Sequence, residues 1–376
     1  MSKIKILVTV GSLGVGGNEM FVMNLLRHID KSKFQMDFAV FDRQRLDYYE
    51  EVKTLGGQVF FCESTKSGKI CQMIDQKRKI DRLLKEHHYD IIHCNSCSFF
   101  GMLPGIAAGK RNGLKVISHS HGVGMQGKGC IDIAARTVLR SIISQNVDYG
   151  FSCSDLAGKS KYTEKFINSK RYVIIRNAIE VSGYLFNKDT RDKMRKEIGL
   201  NDKDFVIGQV GRFEKEKNHA FSIEIFNSVL RQKNNSKLLF IGDGSLIDEI
   251  KSKVKEMKLD RDVVFLGKRD DVNNLYNTID CLIMPSLFEG FPFVLVEAQI
   301  NGLNCIVSDV ISRDVNVSGK VKFLSLDKRE KWIEEIAMCS QNREITPQYK
   351  GFIKDYDLSE ETKRIEKYYF KLASTN

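Results

Sequence analysis

Short apolar, β-branched runs alternate with amphipathic helical stretches along the whole of this 376-residue chain. The predicted strands are 4–10, 36–41, 58–61, 90–94, 115–119, 149–153, 172–175, 205–210, 237–242, 262–266, 280–284 and 304–307. The predicted helices are 18–29, 46–55, 70–87, 101–112, 130–145, 155–168, 189–198, 217–233, 245–258, 271–277, 292–301, 328–339 and 358–373. Strands that are apolar on both faces and separated by helices indicate parallel sheets built from βαβ units. The predicted fold class is therefore α/β.

The alternating pattern restarts near Phe205, after a polar stretch at about 178–204. A chain of this length suits two domains better than one. We predict a first doubly wound domain at 1–180 and a second at 181–357. The closing segment, 358–376, contains an amphipathic helix that we expect to dock back on the first domain. Two such domains that face each other leave a cleft, which is a usual place for a ligand.

The net charge of +11 is concentrated in the first half of the chain. Residues 1–180 hold 27 Lys and Arg against 17 Asp and Glu, whereas residues 181–376 hold 32 against 31. A basic domain favours phosphate-rich or membrane-surface partners. No helix-turn-helix, zinc-finger or aromatic RNA-binding signature supports nucleic acid. The N-terminal apolar run is too short for a signal peptide, and no run of about 18 apolar residues exists. We therefore expect a cytoplasmic protein without a membrane span.

The nine cysteines are odd in number and show no disulfide-like framework, which indicates free thiols in a reducing compartment. Cys94 and Cys97 have the spacing of a redox dithiol or of half a zinc site. No second pair with this spacing completes a metal site, so we interpret both as ordinary buried thiols. Asp260 and Asp262 resemble a metal-binding Asp-x-Asp pair, but their place between a helix and a strand favours a turn. No metal site is predicted.

Two glutamates, Glu289 and Glu297, follow the predicted strand 280–284. Pro292 suits the first position of a helix, because its fixed φ matches a helix start and its missing N–H would be unpaired there. Glu289 should then lie on the loop and Glu297 in the first turns of the helix. Ligands bind at the carboxyl ends of strands in open α/β sheets. A carboxylate can accept both hydroxyls of a ribose or of a sugar. The alternative is a pair of solvated glutamates near a helix start.

Two cations, Arg212 and Lys217, follow the predicted strand 205–210 in the same way. Arg212 leaves the strand as Lys217 enters the next helix, so both can reach one anion at that helix start. Paired cations suit a diphosphate leaving group, whose charge grows as its bond to the sugar breaks. The alternative is ordinary surface charge in a lysine-rich loop.

The first strand is followed by a glycine-rich turn that contains Gly16 and Gly17 and opens a helix. Glycine lets the backbone approach a ligand, and a helix N-terminus offers free N–H groups to an anion. The turn lacks both the G-x-G-x-x-G spacing of a dinucleotide fingerprint and the Gly-Lys-Ser/Thr of a P-loop. A purely structural turn is the alternative.

His119 and His121 lie at the end of the predicted strand 115–119. We expect the two side chains to point to opposite sides, so that only one of them faces the cleft. A hydrogen-bonded core histidine is as good an interpretation as a functional one.

The combination of Gly211-Arg212, Lys217-Asn218 and the Glu289-x7-Glu297 pair resembles the retaining glycosyltransferases of family 4, with the GT-B fold of two Rossmann-like domains that face a central cleft. The resemblance runs along almost the whole chain, and members that build capsular polysaccharide or exopolysaccharide look most similar. It implies a nucleotide-activated sugar, most often a UDP-sugar, and no metal or other cofactor. It also implies lipid-linked acceptors and work at the inner face of the cell membrane.

The resemblance also implies roles for individual residues in both domains. In the second domain, Arg212 and Lys217 would bind the diphosphate and Glu297 the ribose. The donor sugar would be held by Glu289 and by the backbone of Gly290 and Phe291.

In the first domain, Gly16 and Gly17 would approach the phosphate from the opposite side. His121 is the better match to the family's histidine near the reacting sugar, and His119 is second. The chain departs from the family at Asn177-Ala178, where Asn-Gly is more usual.

The expected function is transfer of a hexose or N-acetylhexosamine, with retained anomeric configuration, to a lipid-linked or polysaccharide acceptor in cell-surface polysaccharide assembly. A sugar-nucleotide epimerase has the same architecture and is the enzymatic alternative. A non-catalytic basic protein that binds membranes or polyanions is the other. The presence of Arg212, Lys217, Glu289 and Glu297 in the second domain favours an enzyme over this non-catalytic alternative.

Overall fold

In a computed structural model, the chain divides into two compact units. The first unit comprises residues 1–179 with 355–376, and the second comprises 180–354. The structure describes residues 3–14, 16–122, 130–289, 292–340, 343, 351, 353–354 and 356–374.

The first unit is built on a seven-stranded sheet with the order β3-β2-β1-β4-β5-β6-β7. Its strands are β1 (Ile4–Val10), β2 (Phe34–Val40), β3 (Val59–Phe61), β4 (Ile91–Ser96), β5 (Lys115–Ser120), β6 (Tyr149–Ser152) and β7 (Tyr172–Ile174). The connecting helices are α1 (Gly17–His28), α2 (Tyr49–Thr54), α3 (Lys69–Glu86), α4 (Phe99–Arg111), α5 (Cys130–Asn146), α6 (Asp155–Lys161) and α7 (Glu164–Ile167). The strand pairs are parallel, as the alternation of strands and helices predicts.

Both faces of this sheet are covered, which explains why β1 is apolar at successive positions. Ile6 and Val8 belong to one buried cluster, and Leu7 belongs to the cluster on the opposite face. All three are fully buried. Alternation of side chains across a strand places them in this way.

The second unit is built on a six-stranded parallel sheet with the order β10-β9-β8-β11-β12-β13. Its strands are β8 (Phe205–Val210), β9 (Ser236–Ile241), β10 (Val263–Phe265), β11 (Cys281–Met284), β12 (Asn304–Ser308) and β13 (Val321–Leu324). Its helices are α8 (Lys188–Glu197), α9 (His219–Gln232), α10 (Ile247–Glu256), α11 (Val272–Leu275), α12 (Phe293–Ile300) and α13 (Arg329–Met338). Two parallel-sheet, Rossmann-like units confirm the predicted fold class.

A buried ionic cluster fixes α8 to the start of β11. Asp280 is buried and accepts hydrogen bonds from Arg191 at 2.5 Å and from Arg195 at 2.8 Å. The backbone N–H of Val206 donates to the same carboxylate. Because one carboxylate serves two buried guanidinium groups, its loss would leave uncompensated charge inside the unit.

The last helix, α14 (Leu358–Ala373), belongs to the first unit. Asp357 caps its N-terminus by accepting from the N–H groups of Ser359 and Glu360. On its buried face, Tyr369 lies 2.6 Å from Nδ1 of His93 on β4. The C-terminal segment therefore supports the core beneath β4.

Some element boundaries differ from the prediction, and each difference has a local cause. The predicted helix 155–168 is divided, since Thr163 caps a new helix by accepting from the N–H of Phe166. The strand β13 is missing from the prediction. It is a short strand at the edge of the sheet, and its Lys322 is exposed, so its sequence carries little apolar signal. Among the described residues, no helix is both long enough and apolar enough to span a membrane.

Candidate active site

The predicted site residues of the second unit follow β8 and β11, which are neighbours in the sheet. The strand order reverses between them, because β9 and β10 lie beyond β8 while β12 and β13 lie beyond β11. Ligands in open α/β sheets bind outside the carboxyl ends of strands at such a switch point. The topology therefore brings the two cations and the two glutamates to one edge.

The loop after β8 passes very close to the loop after β9. A Cβ on Gly242 would lie 2.0 Å from the carbonyl oxygen of Gly211, so this approach requires glycine. The N–H of Phe213 donates to the carbonyl of Asp243. Arg212 lies between these contacts and its side chain is exposed. The described part of the chain offers no ion-pair partner for its guanidinium.

Lys217 does not enter the next helix as predicted. It ends a separate 3-10 turn, Lys215–Lys217, and α9 begins at His219 after the left-handed residue Asn218. The carbonyl of Lys217 accepts from Gln209 at 2.8 Å, and the side chain of Asn218 donates to the carbonyl of Pro285. These bonds hold the turn between the ends of β8 and β11.

The structure joins the two loops through an ion pair between Lys217 and Glu289. Nζ lies 2.5 Å from Oε1, and the side chains are only 23% and 10% exposed. Ser286 donates to the same oxygen at 2.8 Å. Both bonds use Oε1, and the described residues provide no hydrogen bond to Oε2. The carboxylate can therefore hold Lys217 and still accept from a ligand hydroxyl.

The segment after Glu289 leads into α12. Gly290 and Phe291 lie outside the described residues. Pro292 is the N-cap, with φ −79° and ψ 102°, and the helix begins at Phe293, one residue later than predicted. Glu297 lies in the second turn of that helix.

Glu297 is held by two tyrosines that the sequence analysis did not identify. Tyr276 donates to Oε2 at 2.7 Å, and Tyr184 donates to Oε1 at 3.3 Å. Burial raises the pKa of the Glu297 carboxyl, and the two tyrosine hydrogen bonds oppose that rise. Each oxygen has two lone pairs, so both remain able to accept from a further hydroxyl.

In the first unit, the glycine turn leads into α1. Gly16 is the N-cap and Gly17 the first helical residue. A Cβ on Gly16 would lie 2.5 Å from a carboxylate oxygen of Glu19, whose other oxygen accepts from Ser12 at 3.2 Å. A side chain at position 16 would therefore displace Glu19. The acidic side chain in the first turn complements the helix dipole.

The prediction that His119 and His121 point to opposite sides is wrong. Their ring centroids are 4.0 Å apart, and both rings contact Phe21 of α1, at 4.6 Å and 4.8 Å. Side chains in a strand alternate with a period of two, so residues i and i+2 share a face. His93 stacks on His119 from β4, with centroids 5.6 Å apart.

The three imidazoles are all buried, and burial is the main cause of their lowered pKa values. The pKa of His121 falls to about 3 and that of His93 to about 3, while that of His119 falls well below its usual value. All three rings are therefore neutral near pH 7. His121 lies between two asparagines, with Nε2 3.1 Å from Oδ1 of Asn95 and Nδ1 3.3 Å from Oδ1 of Asn177.

The predicted burial of the cysteine pair holds only for Cys94. Cys94 is buried, whereas Cys97 is exposed. Asp260 and Asp262 lie in a turn as predicted, and Asp262 pairs with Lys237. Within the ranges that the structure describes, no group of three or more His, Cys, Asp or Glu side chains is arranged to hold a metal ion.

Family models match both halves of the chain. The model described as "Glycosyltransferase Family 4" matches residues 15–182, and the model described as "Glycosyl transferases group 1" matches residues 190–350. The protein EpsF of Bacillus subtilis (strain 168) is 31% identical over 344 residues, which cover 90% of this chain and 88% of that protein.

A further relative and a solved structure agree with these matches. The UDP-Gal:alpha-D-GlcNAc-diphosphoundecaprenol alpha-1,3-galactosyltransferase of Escherichia coli is 28% identical over 243 residues, which cover 61% of this chain and 60% of that protein. The crystal structure of HepE of Anabaena in complex with UDP superimposes with a TM-score of 0.76 at 16% identity, over 98% of this chain and 100% of that one. At that identity the likeness concerns the fold alone. The chain belongs to the family 4 glycosyltransferases, with the two Rossmann-like units of the GT-B fold.

Proposed function

We propose that this glycosyltransferase moves a hexose or an N-acetylhexosamine from a UDP-sugar to a lipid-linked or polysaccharide acceptor, with retention of anomeric configuration and without a metal ion. The reaction would serve cell-surface polysaccharide assembly. The observation that carries the proposal is the ion pair of Lys217 and Glu289 at the switch point between β8 and β11.

This pair suits a sugar diphosphate because Lys217 would contact the phosphate and Glu289 the sugar, the two groups that are joined by the bond that breaks. An ammonium has three donors, so Lys217 can keep Glu289 and still donate to phosphate oxygens. Exposed Arg212 adds a second cation at the end of β8. Together they would stabilise the charge that grows on the departing diphosphate, in place of a metal ion.

Retention would follow from attack on the face that the diphosphate leaves. The acceptor hydroxyl forms the new bond to the anomeric carbon as the bond to the diphosphate oxygen breaks. The same diphosphate oxygen takes the acceptor's proton, so the step needs no separate base. Glu289 would orient the sugar through Oε2, while the backbone of Gly290 and Phe291 would complete its hydrogen bonds.

The remaining roles concern the nucleotide and the first unit. Glu297, held by Tyr276 and Tyr184, would accept both ribose hydroxyls. Gly16 and Gly17 would offer the N-terminus of α1 to the phosphates. UDP is the proposed carrier because UDP-Gal is in the name of the Escherichia coli relative and UDP is bound in the HepE structure.

The lipid-linked acceptor is proposed from the same relative, whose name includes a diphosphoundecaprenol. The first unit adds a physical argument for a membrane surface. On α5, Val138 and Ile142 lie one turn apart and are 58% and 41% exposed, and the helix also carries Arg136 and Arg140. Apolar and basic side chains on one helix favour the interface of an anionic membrane. We therefore propose peripheral attachment at the inner face of the cell membrane.

The donor is tested by incubating the protein with UDP-, GDP- and TDP-sugars and following nucleotide release with and without lipid-diphosphate saccharide acceptors. We expect release from a UDP-sugar that increases with acceptor, and an α-linked product from an α-linked donor by NMR. Conversion of the sugar without release of nucleotide would instead identify an epimerase. No turnover of any donor would refute the proposed enzyme.

Membrane attachment is tested separately by sedimentation with vesicles. Binding to vesicles that contain anionic lipid should exceed binding to neutral vesicles and should weaken as salt rises. Val138→Glu should reduce it, whereas the matched change at an exposed leucine of the second unit, Leu185→Glu, should not. Equal binding of both variants would contradict the proposed surface.

A further inference from the structure

We propose that Asn95 and Asn177 are positioning residues that fix the His121 ring and hold it as the neutral Nε2–H tautomer during sugar transfer. The inference rests on the proposed function and on the family resemblance, by which His121 corresponds to the histidine near the reacting sugar. It adds how the His121 ring is held in place and whether the ring can act as a general acid or base.

The three side chains form a buried set. His121 is 8% exposed, Asn177 is 3% exposed and Asn95 is 1% exposed. Asn95 comes from β4, His121 from the end of β5, and Asn177 from the chain that follows β7. Both ring nitrogens of His121 therefore face an amide rather than solvent.

Asn95 determines which nitrogen carries the proton. Its Nδ2 donates to the carbonyl of His93 at 3.3 Å, which leaves Oδ1 as the atom that faces His121. An amide oxygen accepts only, so Nε2 must be the donor. The amide orientation is thus assigned from its second hydrogen bond.

With the proton on Nε2, Nδ1 of the neutral His121 ring must accept a hydrogen bond. In the structure Oδ1 of Asn177 faces this nitrogen, and we assign the amide the opposite orientation, in which a rotation by 180° brings Nδ2 to the same place and lets it donate to Nδ1. The titratable neighbours of His121 are the imidazoles of His119 and His93, and burial keeps both uncharged. In the described part of the chain, nothing charged is available to stabilise an imidazolium at this position.

A ring with both nitrogens engaged is not a general acid or base. Its contribution is a fixed shape and fixed hydrogen bonds at the end of β5. Asn177 also lies in the connection that leads to the second unit, which begins at Glu180. The contact of Asn177 with His121 therefore ties the start of that connection to the carboxyl end of β5.

The tautomer is read directly by long-range 1H–15N spectra of the full chain labelled with 15N-histidine. His121 is identified among the seven histidines by the signal lost in His121→Gln. We expect the Nε2–H pattern in the wild type from pH 8.5 down to 4.5. A wild-type ring that is protonated with a midpoint near 6.5, or that shows the Nδ1–H pattern, overturns the proposal.

Asn177→Asp tests the same contact by favouring the protonated His121 ring, with a side chain of nearly the same shape as asparagine. A carboxylate beside Nδ1 should raise the pKa of His121 by about 1 to 3 units, so a protonated ring should be visible by about pH 5. A His121 signal that does not change in Asn177→Asp would show that Asn177 does not face the ring. These spectra need no sugar donor, so they stand even if the proposed function fails.

Kinetics test the positioning role. Asn95→Ala and Asn177→Ala should lower kcat about tenfold and leave the donor KM within about twofold, since one orienting hydrogen bond is lost. The matched control is Asn168→Ala, at an exposed asparagine after α7 in the same unit. Wild-type kcat in both variants overturns the proposal. So does a fall in kcat that is fully explained by a smaller folded fraction, as measured by thermal unfolding.

Discussion

Replacement of Lys217 by alanine removes the cation that the structure places beside Glu289 between the ends of β8 and β11. A unit charge about 4 Å from a phosphate oxygen is worth about 4 kcal/mol at an effective dielectric of about 20. Only the part that grows as the sugar–phosphate bond breaks accelerates the reaction. Loss of one preorganised donor of this kind costs about 3 kcal/mol, so we expect kcat to fall about 100-fold.

The assay is the initial rate of UDP release at saturating donor and acceptor. Lys215→Ala is the matched control, because Lys215 is an exposed lysine of the same 3-10 turn. It should retain wild-type rates and thermal stability, whereas Lys217→Ala also leaves Glu289 without its cation, so the rates are compared for equal amounts of folded protein. Rates for Lys217→Ala within about threefold of those for Lys215→Ala would refute the assignment of Lys217 to the leaving group.

Two further predictions concern the carboxylates of Asp280 and Glu297 in the second unit. Asp280→Ala should reduce the free energy of unfolding in urea by about 3–5 kcal/mol, because Arg191 and Arg195 lose their shared partner; a loss below about 1 kcal/mol would contradict that reading. Tyr276→Phe removes a hydrogen bond that lowers the pKa of Glu297, so that pKa, already raised by burial, should rise further. We expect UDP binding to need the ionised carboxylate of Glu297. As the pH falls, Tyr276→Phe should therefore lose UDP affinity at a higher pH than the wild type, and near neutrality its affinity should be about 3- to 10-fold lower. Calorimetry from pH 5 to 8 that gives the same profile for both proteins would contradict this prediction.

The architecture was predictable because its signal is local and repeated. Strands covered on both faces are apolar at successive positions, and β1 and β8 show this directly in the sequence. The site of the second unit was predictable for a related reason. Its charged residues follow two strands, and the carboxyl ends of parallel strands meet at one edge.

The partners of those residues were not predictable. Tyr184 and Tyr276 reach Glu297 from 113 and 21 residues away, and nothing in their own neighbourhoods distinguishes them from packing tyrosines. Asn95 meets His121 because β4 lies beside β5 in the sheet, and Asn177 meets it because the chain that leaves β7 reaches the end of β5. Such contacts depend on tertiary structure, which single-sequence patterns do not encode.

The orientation of His121 relative to His119 is a different case, because the sequence did contain the answer. Residues two apart in a strand share a face, and the two rings accordingly lie in contact. The missed strand β13 reflects weak signal instead, since an edge strand of four residues with an exposed lysine resembles a loop.

The central claim is that one sugar diphosphate binds where β8 and β11 end, held by Arg212, Lys217, Glu289 and Glu297. The most direct measurement is a crystal structure of the chain with UDP or a UDP-sugar. We expect the diphosphate on Arg212 and Lys217, the ribose hydroxyls on Glu297 and the sugar beside Glu289. Nucleotide bound at any other place, with these four side chains free of it, would contradict the account.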